Sequence, residues 1–158
     1  MHDLGRFVLL DLAPQDFEEV EEANWTTPEQ LLEAEKGACG FDHAKLGAIA
    51  CKHWGLPSFV VDLVRNHHRY AATEHRNLNP ELTDLIVTVQ MADLFSILML
   101  RNPEFSTWET GHLATQIAKD CNHPSWTALP ASPAALADRA QPIQAECARL
   151  VSALGLED

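Results

Sequence analysis

Six polar side chains hold most of the chemistry that this 158-residue sequence offers: His2 and Asp3, then His43, the adjacent His67 and His68, and Asp93. Imidazole and carboxylate together are the donors that Fe, Mn, Zn and similar divalent ions accept. Position matters here more than identity. His43, His67 and Asp93 fall on what periodicity makes the inward faces of three different helices. A buried imidazole or carboxylate without a hydrogen bond or counter-charge costs on the order of a few kcal/mol. A helical protein that buries several of them therefore gains by joining them around one object, and a divalent metal is the simplest such object. Adjacent residues do not share a face of a regular helix, so His2-Asp3 and His67-His68 should each straddle a helix end.

The elements that must position these residues are helical almost throughout. Thr27-Pro28-Glu29-Gln30 reads as a capping box with proline at the first helical position, and predicts a helix from Pro28 to about Lys36. Gly40 ends it, and Asp42 can cap the next helix. Over residues 41–54, His43 shares its face with Leu46, Gly47 and Ala50, a small face that lets another helix approach closely. Gly55 and Leu56-Pro57 separate this segment from residues 58–68, where Val60, Leu63 and Val64 precede His67, and Val61 and Val64 precede His68, at helical spacing. Asn79-Pro80-Glu81 starts a long apolar helix ending near Arg101, with Asp93 between Val89 and Ile97 and Ile86 a turn further back. Residues 108–121 form an amphipathic pattern, 122–130 a proline-punctuated loop, and Ser132-Pro133 begins a last helix ending at Gly155, which Pro142 should kink or split. No strand-like alternation of useful length and no internal repeat is present. The fold class is all-α, and the length fits one domain over residues 1–158.

Composition narrows the function. A formal net charge of -12, from 23 acidic and 11 basic residues, provides no broad footprint for nucleic acid or an anionic membrane. Arg65, Arg69 and Arg76, around the histidine pair, are the candidates for a local basic lining that would bind a phosphorylated small molecule. Cys39, Cys51, Cys121 and Cys147 lack any CxxC spacing and read as reduced core thiols. No run approaches about 18 uninterrupted apolar residues, and residues 1–13 lack the basic start and cleavage site of a secretory signal. A cytoplasmic protein is expected. His53, His75, His112 and His123 follow no pattern and read as surface residues; Trp25, Trp54, Trp108 and Trp126 read as packing. The run Glu18-Glu19-Val20-Glu21-Glu22 reads as a solvated helix face.

The string His2-Asp3-Leu4-Gly5-Arg6 followed by Val8-Leu9-Leu10, then Gly40-Phe41-Asp42-His43-Ala44-Lys45-Leu46-Gly47, Trp54-Gly55-Leu56-Pro57, Asn66-His67-His68 and Ala92-Asp93, resembles the HDOD branch of the HD superfamily. The likeness covers residues 1–100 closely and the C-terminal helices, 104–158, more loosely. HD proteins are helical metal-dependent phosphohydrolases; HDOD domains are bacterial modules usually linked to signalling, commonly without a known activity. The resemblance implies an HD-like helical bundle in which His2, Asp3, His43, His67, His68 and Asp93 are metal ligands, Asp3 touching the metal most directly. It also puts Arg6 where catalytic relatives often carry lysine, which makes Asp3 and Arg6 the candidate catalytic residues. Two departures stand out. The family's helices before the HD pair, with the residue that supplies the first ligand, are not in this sequence. After His68 comes Arg69-Tyr70-Ala71-Ala72, without the Gly-Tyr-Pro signature of the cyclic di-nucleotide phosphodiesterases.

Two functions of different class follow. In the favoured one the chain is a regulatory signalling module acting through protein contacts or self-association, with the cluster as a structural or vestigial site for a divalent metal (Fe, Mn, Zn or Mg). In the other it is an HD-type phosphohydrolase acting on a nucleotide or other phosphoester, with Arg65 and Arg69 as candidate substrate-binding residues. The apolar run Phe7, Val8, Leu9 and Leu10, which in relatives packs on earlier helices, is expected to be covered by a second copy or by an upstream segment.

Overall fold

The computed structural model describes residues 1–71, 78–126 and 128–155. Among them run eight α-helices and no strand: α1 (Leu4–Leu12), α2 (Pro14–Glu22), α3 (Pro28–Cys39), α4 (His43–His53), α5 (Ser58–Asn66), α6 (Pro80–Arg101), α7 (Thr110–Asp120) and α8 (Pro133–Ala153). The class is all-α, as the periodicity requires. His75, Arg76 and Ala72 lie outside the described residues.

Helix boundaries follow from capping chemistry. The Thr27 side chain accepts the Gln30 N–H at 3.3 Å, and Pro28 occupies the first turn, where its missing N–H costs nothing. The capping box is shifted from the expected one: Gln30 reaches back to Thr26, whose N–H and hydroxyl it accepts at 2.8 Å. α3 continues past Lys36 to Cys39 and ends at Gly40, whose φ of 78° is the left-handed conformation that glycine takes without strain. Asp42 caps α4 by accepting the Lys45 N–H at 2.8 Å, and Ser132 caps α8 by accepting the Ala135 N–H at 3.2 Å. Asn79 does the same for α6 through the Glu81 N–H at 2.9 Å.

The described residues gather into two compact units, 1–90 and 91–158, with the boundary inside α6. In the first, α4 packs on α5 and on α1, α1 on α2, and α2 on α3. Ala48, Cys51, Val61 and Val64 form a buried cluster there, with Leu4, Leu56 and Val60 packed against it. In the second, α7 packs on α8, and Phe95, Leu98, Phe105, Leu113, Ile117, Cys121, Ala137 and Ala140 form the core. A 3-10 turn, Phe105–Thr107, precedes α7, so the expected helix over 108–121 starts two residues late.

Several expectations are corrected. α8 runs unsplit through Pro142 and stops at Ala153, before Gly155. The buried face of α4 is His43, Ala44, Gly47, Ala48 and Cys51, while Leu46 and Ala50 are half-buried. Trp54 is 58% exposed and so is not a packing residue of the core. Cys147 is exposed, unlike the buried Cys51 and Cys121. The run from Phe7 to Leu10 divides: Leu9 is buried, whereas Phe7 and Leu10 are exposed. α6, with 22 residues, is long and apolar enough to cross a membrane by length and composition, despite its polar interruptions. A buried helix of a protein core passes the same test, and Ile86, Val87, Gln90, Met91, Phe95 and Leu98 of α6 are buried.

Candidate metal centre

The expected convergence is present within the first unit. Asp3, His43, His67 and His68 each offer a ligand atom, and these atoms lie within 4.8 Å of one another. Three separate helix ends deliver them. Asp3 is the residue before α1, His43 is the first residue of α4, and His67 and His68 form the turn that follows α5. The expectation that the paired residues straddle helix ends is met at both places.

A glycine contact brings α1 onto α4. A Cβ on Gly5 would stand 1.9 Å from the His43 carbonyl oxygen, and one on Gly47 would stand 3.1 Å from the Gly5 nitrogen. Only bare backbone fits at this crossing. It holds the start of α1, and so Asp3, against the start of α4.

The inner atoms form a triangle. His43 Nε2 and His67 Nε2 are 3.2 Å apart, and Asp3 Oδ1 lies 3.3 Å from the first and 3.2 Å from the second. Neighbouring ligands about 2.0–2.1 Å from one tetrahedral ion stand about 3.3 Å apart, so the spacing fits a shared metal. The outer ring nitrogens are tied down. His67 Nδ1 donates to the Val64 carbonyl at 2.6 Å, and His43 Nδ1 donates to Glu35, 2.8 Å from Oε1 and 2.7 Å from Oε2. With Nδ1 donating, Nε2 is the nitrogen left to face a metal once the ring is neutral.

Burial and neighbouring charge set the protonation of the cluster. Burial would raise the Asp3 carboxyl, but hydrogen bonds from His2, His43 and His67, with the charge of His2, outweigh it and hold Asp3 well below the usual carboxylate range. Burial would lower His43, but Asp3 and Glu35 outweigh it and push the imidazole up to about 9. His68, buried beside His67 and His43, is pushed down to about 2, which keeps it neutral. A neutral imidazole is the form that binds metal.

The remaining candidates stand as follows. His2 reaches the other Asp3 oxygen, Oδ2, at 3.1 Å, and its ring meets that of His67 edge-on at 5.1 Å. Asp93 lies on the part of α6 that belongs to the second unit and is not among the four. Arg6 pairs with Glu21, and its guanidinium lies over the rings of Phe17 and Trp25, 5.3 and 5.4 Å from their centroids. Arg65 stands 3.7 Å from Asp62, one turn back on its own helix, and Arg69 is exposed.

One member escaped the sequence reading. Glu35 is completely buried on α3 and binds both the ring and the backbone of His43. The available signal was the one used for His43: a polar residue one turn after buried Leu31 and two after buried Pro28, on the apolar face of α3.

Fold and cluster together define a helical domain with a buried histidine–carboxylate centre. Residues 1–70, which span α1 to α5 and all four clustered residues, match the model of the HDOD domain. The resemblance read from the motifs is upheld over that stretch. No curated protein and no solved structure matches the chain.

Proposed function

We propose that the chain is a regulatory module of the HDOD kind that binds one divalent metal through Asp3, His43, His67 and His68 and acts through protein contacts. The observation that carries the metal is the triangle of Asp3 Oδ1, His43 Nε2 and His67 Nε2, spaced at 3.2–3.3 Å with both ring Nδ1 atoms engaged elsewhere. Protein contact as the mode of action is supported by large apolar side chains left exposed, Phe7, Leu10 and Leu12 on α1 and Ile49, Trp54 and Phe59 on and after α4. Fe, Mn, Zn and Mg are the candidate ions, and the imidazole majority favours Fe and Zn. Metal analysis of protein purified without an affinity tag, followed by titration with Zn2+ and Mn2+, tests the reading. About one equivalent should bind to the wild type and none to Asp3→Asn; a wild type that takes up neither ion refutes it.

A second reading rests on Asp3, whose side chain is 39% exposed while His43 and His67 are fully buried. A site open to solvent on its carboxylate side suits hydrolysis of a phosphoester, where a metal would lower the pKa of bound water and polarise a phosphoryl oxygen. Arg6, engaged by Glu21, would have to be released to serve such a reaction. Release of phosphate from nucleotide or aryl phosphoesters by metal-loaded protein, lost in Asp3→Asn, would favour this reading over the first.

A further inference from the structure

Both carboxylate oxygens of Glu35 bind one residue, His43. Its Oε2 accepts the His43 backbone N–H at 2.8 Å, and both oxygens lie within 2.8 Å of His43 Nδ1. That N–H is the first of α4 and has no partner inside the helix. One carboxylate thus holds backbone and ring together, which fixes the rotamer of His43 and aims Nε2 at Asp3 and His67. A charge argument points the same way. His67 and His68 bring no negative charge, so a divalent ion facing Asp3 alone would leave one positive charge uncompensated beside fully buried side chains. Glu35, one imidazole away, balances it.

We propose that Glu35 is a positioning residue of the metal site, orienting His43 and supplying the second negative charge that a divalent cation requires there. The proposal rests on the metal reading above, and its test separates the two. Glu35→Gln keeps the shape and removes the charge; Glu35→Ala removes both. Zn2+ affinity is measured by competition with a chelating dye, on the wild type and both variants, with circular dichroism to establish that each is folded. Glu35→Gln should bind Zn2+ about 10- to 100-fold more weakly at unchanged stoichiometry, the range typical when the carboxylate behind a ligand histidine is lost. Equal affinity in the folded Gln variant overturns the proposal. A metal-free readout stands beside it. In proton NMR the buried His43 ring N–H should give a far-downfield, exchange-protected resonance, shifted upfield in Glu35→Gln and absent in Glu35→Ala. If the wild type binds neither Zn2+ nor Mn2+, the metal reading falls and this resonance decides whether Glu35 positions His43: its persistence at the same shift in Glu35→Gln means that it does not. The Gln variant carries both readouts should Glu35→Ala fail to fold.

Discussion

Gly5 meets His43 backbone to backbone: a single added Cβ would lie 1.9 Å from the His43 carbonyl oxygen. No rotamer change relieves such a clash, because the obstructing atom belongs to the α4 backbone. Gly5→Ala must therefore move α1 away from α4 and carry Asp3 with it. We predict a loss of about 1–3 kcal/mol in apo stability by urea denaturation, the usual range for overpacking, together with weakened Zn2+ binding. Gly47→Ala, whose new Cβ would lie 3.0 Å from the Val64 Cγ1 and 3.1 Å from the Gly5 nitrogen, should cost less. Equal and small effects at both positions would refute the close crossing as the device that sets the site.

The stability of the metal-free protein should peak near pH 6.5. His43 is raised to about 9 in the folded chain, so its contribution is complete below its unfolded value of 6.5 and is lost as pH climbs towards 9. His68 is lowered to about 2, so the unfolded chain binds the extra proton below 6.5, and stability falls as the solution is acidified. Each slope is at most about 1.4 kcal/mol per pH unit. Denaturation midpoints in the presence of chelator from pH 5 to 9 check this, and a curve rising steadily to pH 9 would contradict it. His43→Ala should remove the alkaline limb.

Metal uptake should release a proton. Below pH 9 His43 holds hydrogens on both ring nitrogens, and a metal ligand must give up the one on Nε2. Affinity for Zn2+ should therefore rise up to about tenfold per pH unit until about 9, a single-proton dependence. Calorimetric titrations at pH 7.5 in buffers of differing ionisation enthalpy count the protons directly. A heat independent of buffer would exclude His43 as the group displaced.

Arg6 is predicted to act on stability rather than on metal. Its charge meets Glu21 and the faces of Phe17 and Trp25, which ties α1 to α2 and to the segment after it. Arg6→Ala should cost about 1–2 kcal/mol, mainly through the aromatic contacts at about 0.5–1 kcal/mol each. Arg6→Lys should recover part of it, since ammonium lacks the planar stacking surface. Zn2+ affinity should stay within about twofold of wild type by direct titration, because the guanidinium makes its contacts with α2 and Trp25 instead of with the histidines. A folded Arg6→Ala protein that has lost Zn2+ would show a closer link to the centre.

Much of this was legible in the sequence, and for one reason. Caps and breakers act locally, so Thr27, Gly40, Asp42, Asn79 and Ser132 announce helix ends with no knowledge of tertiary structure. The histidines at helix ends, His43 after Asp42 and the pair after α5, then point to a common centre. What stayed hidden depends on partners distant in sequence. Glu35 looks like one of many glutamates until its carboxylate meets His43, and Arg6 reads as a catalytic candidate until Glu21 and Trp25 come round to meet it. Trp54 reads as a packing residue because a large aromatic favours burial, whereas it closes α4 at the surface. Pro142 should kink or split α8, and the helix continues through it unsplit.

Asp3 and His67, which meet at 3.2 Å, are separated by 64 positions along the chain. An ion held between them would close a loop longer than any single helix pair, and so would act on the unfolded ensemble as a reversible cross-link. During synthesis the centre cannot be completed until the turn after α5 has left the ribosome, so an ion bound there would require the starts of α1 and α4 and the end of α5 to have met already.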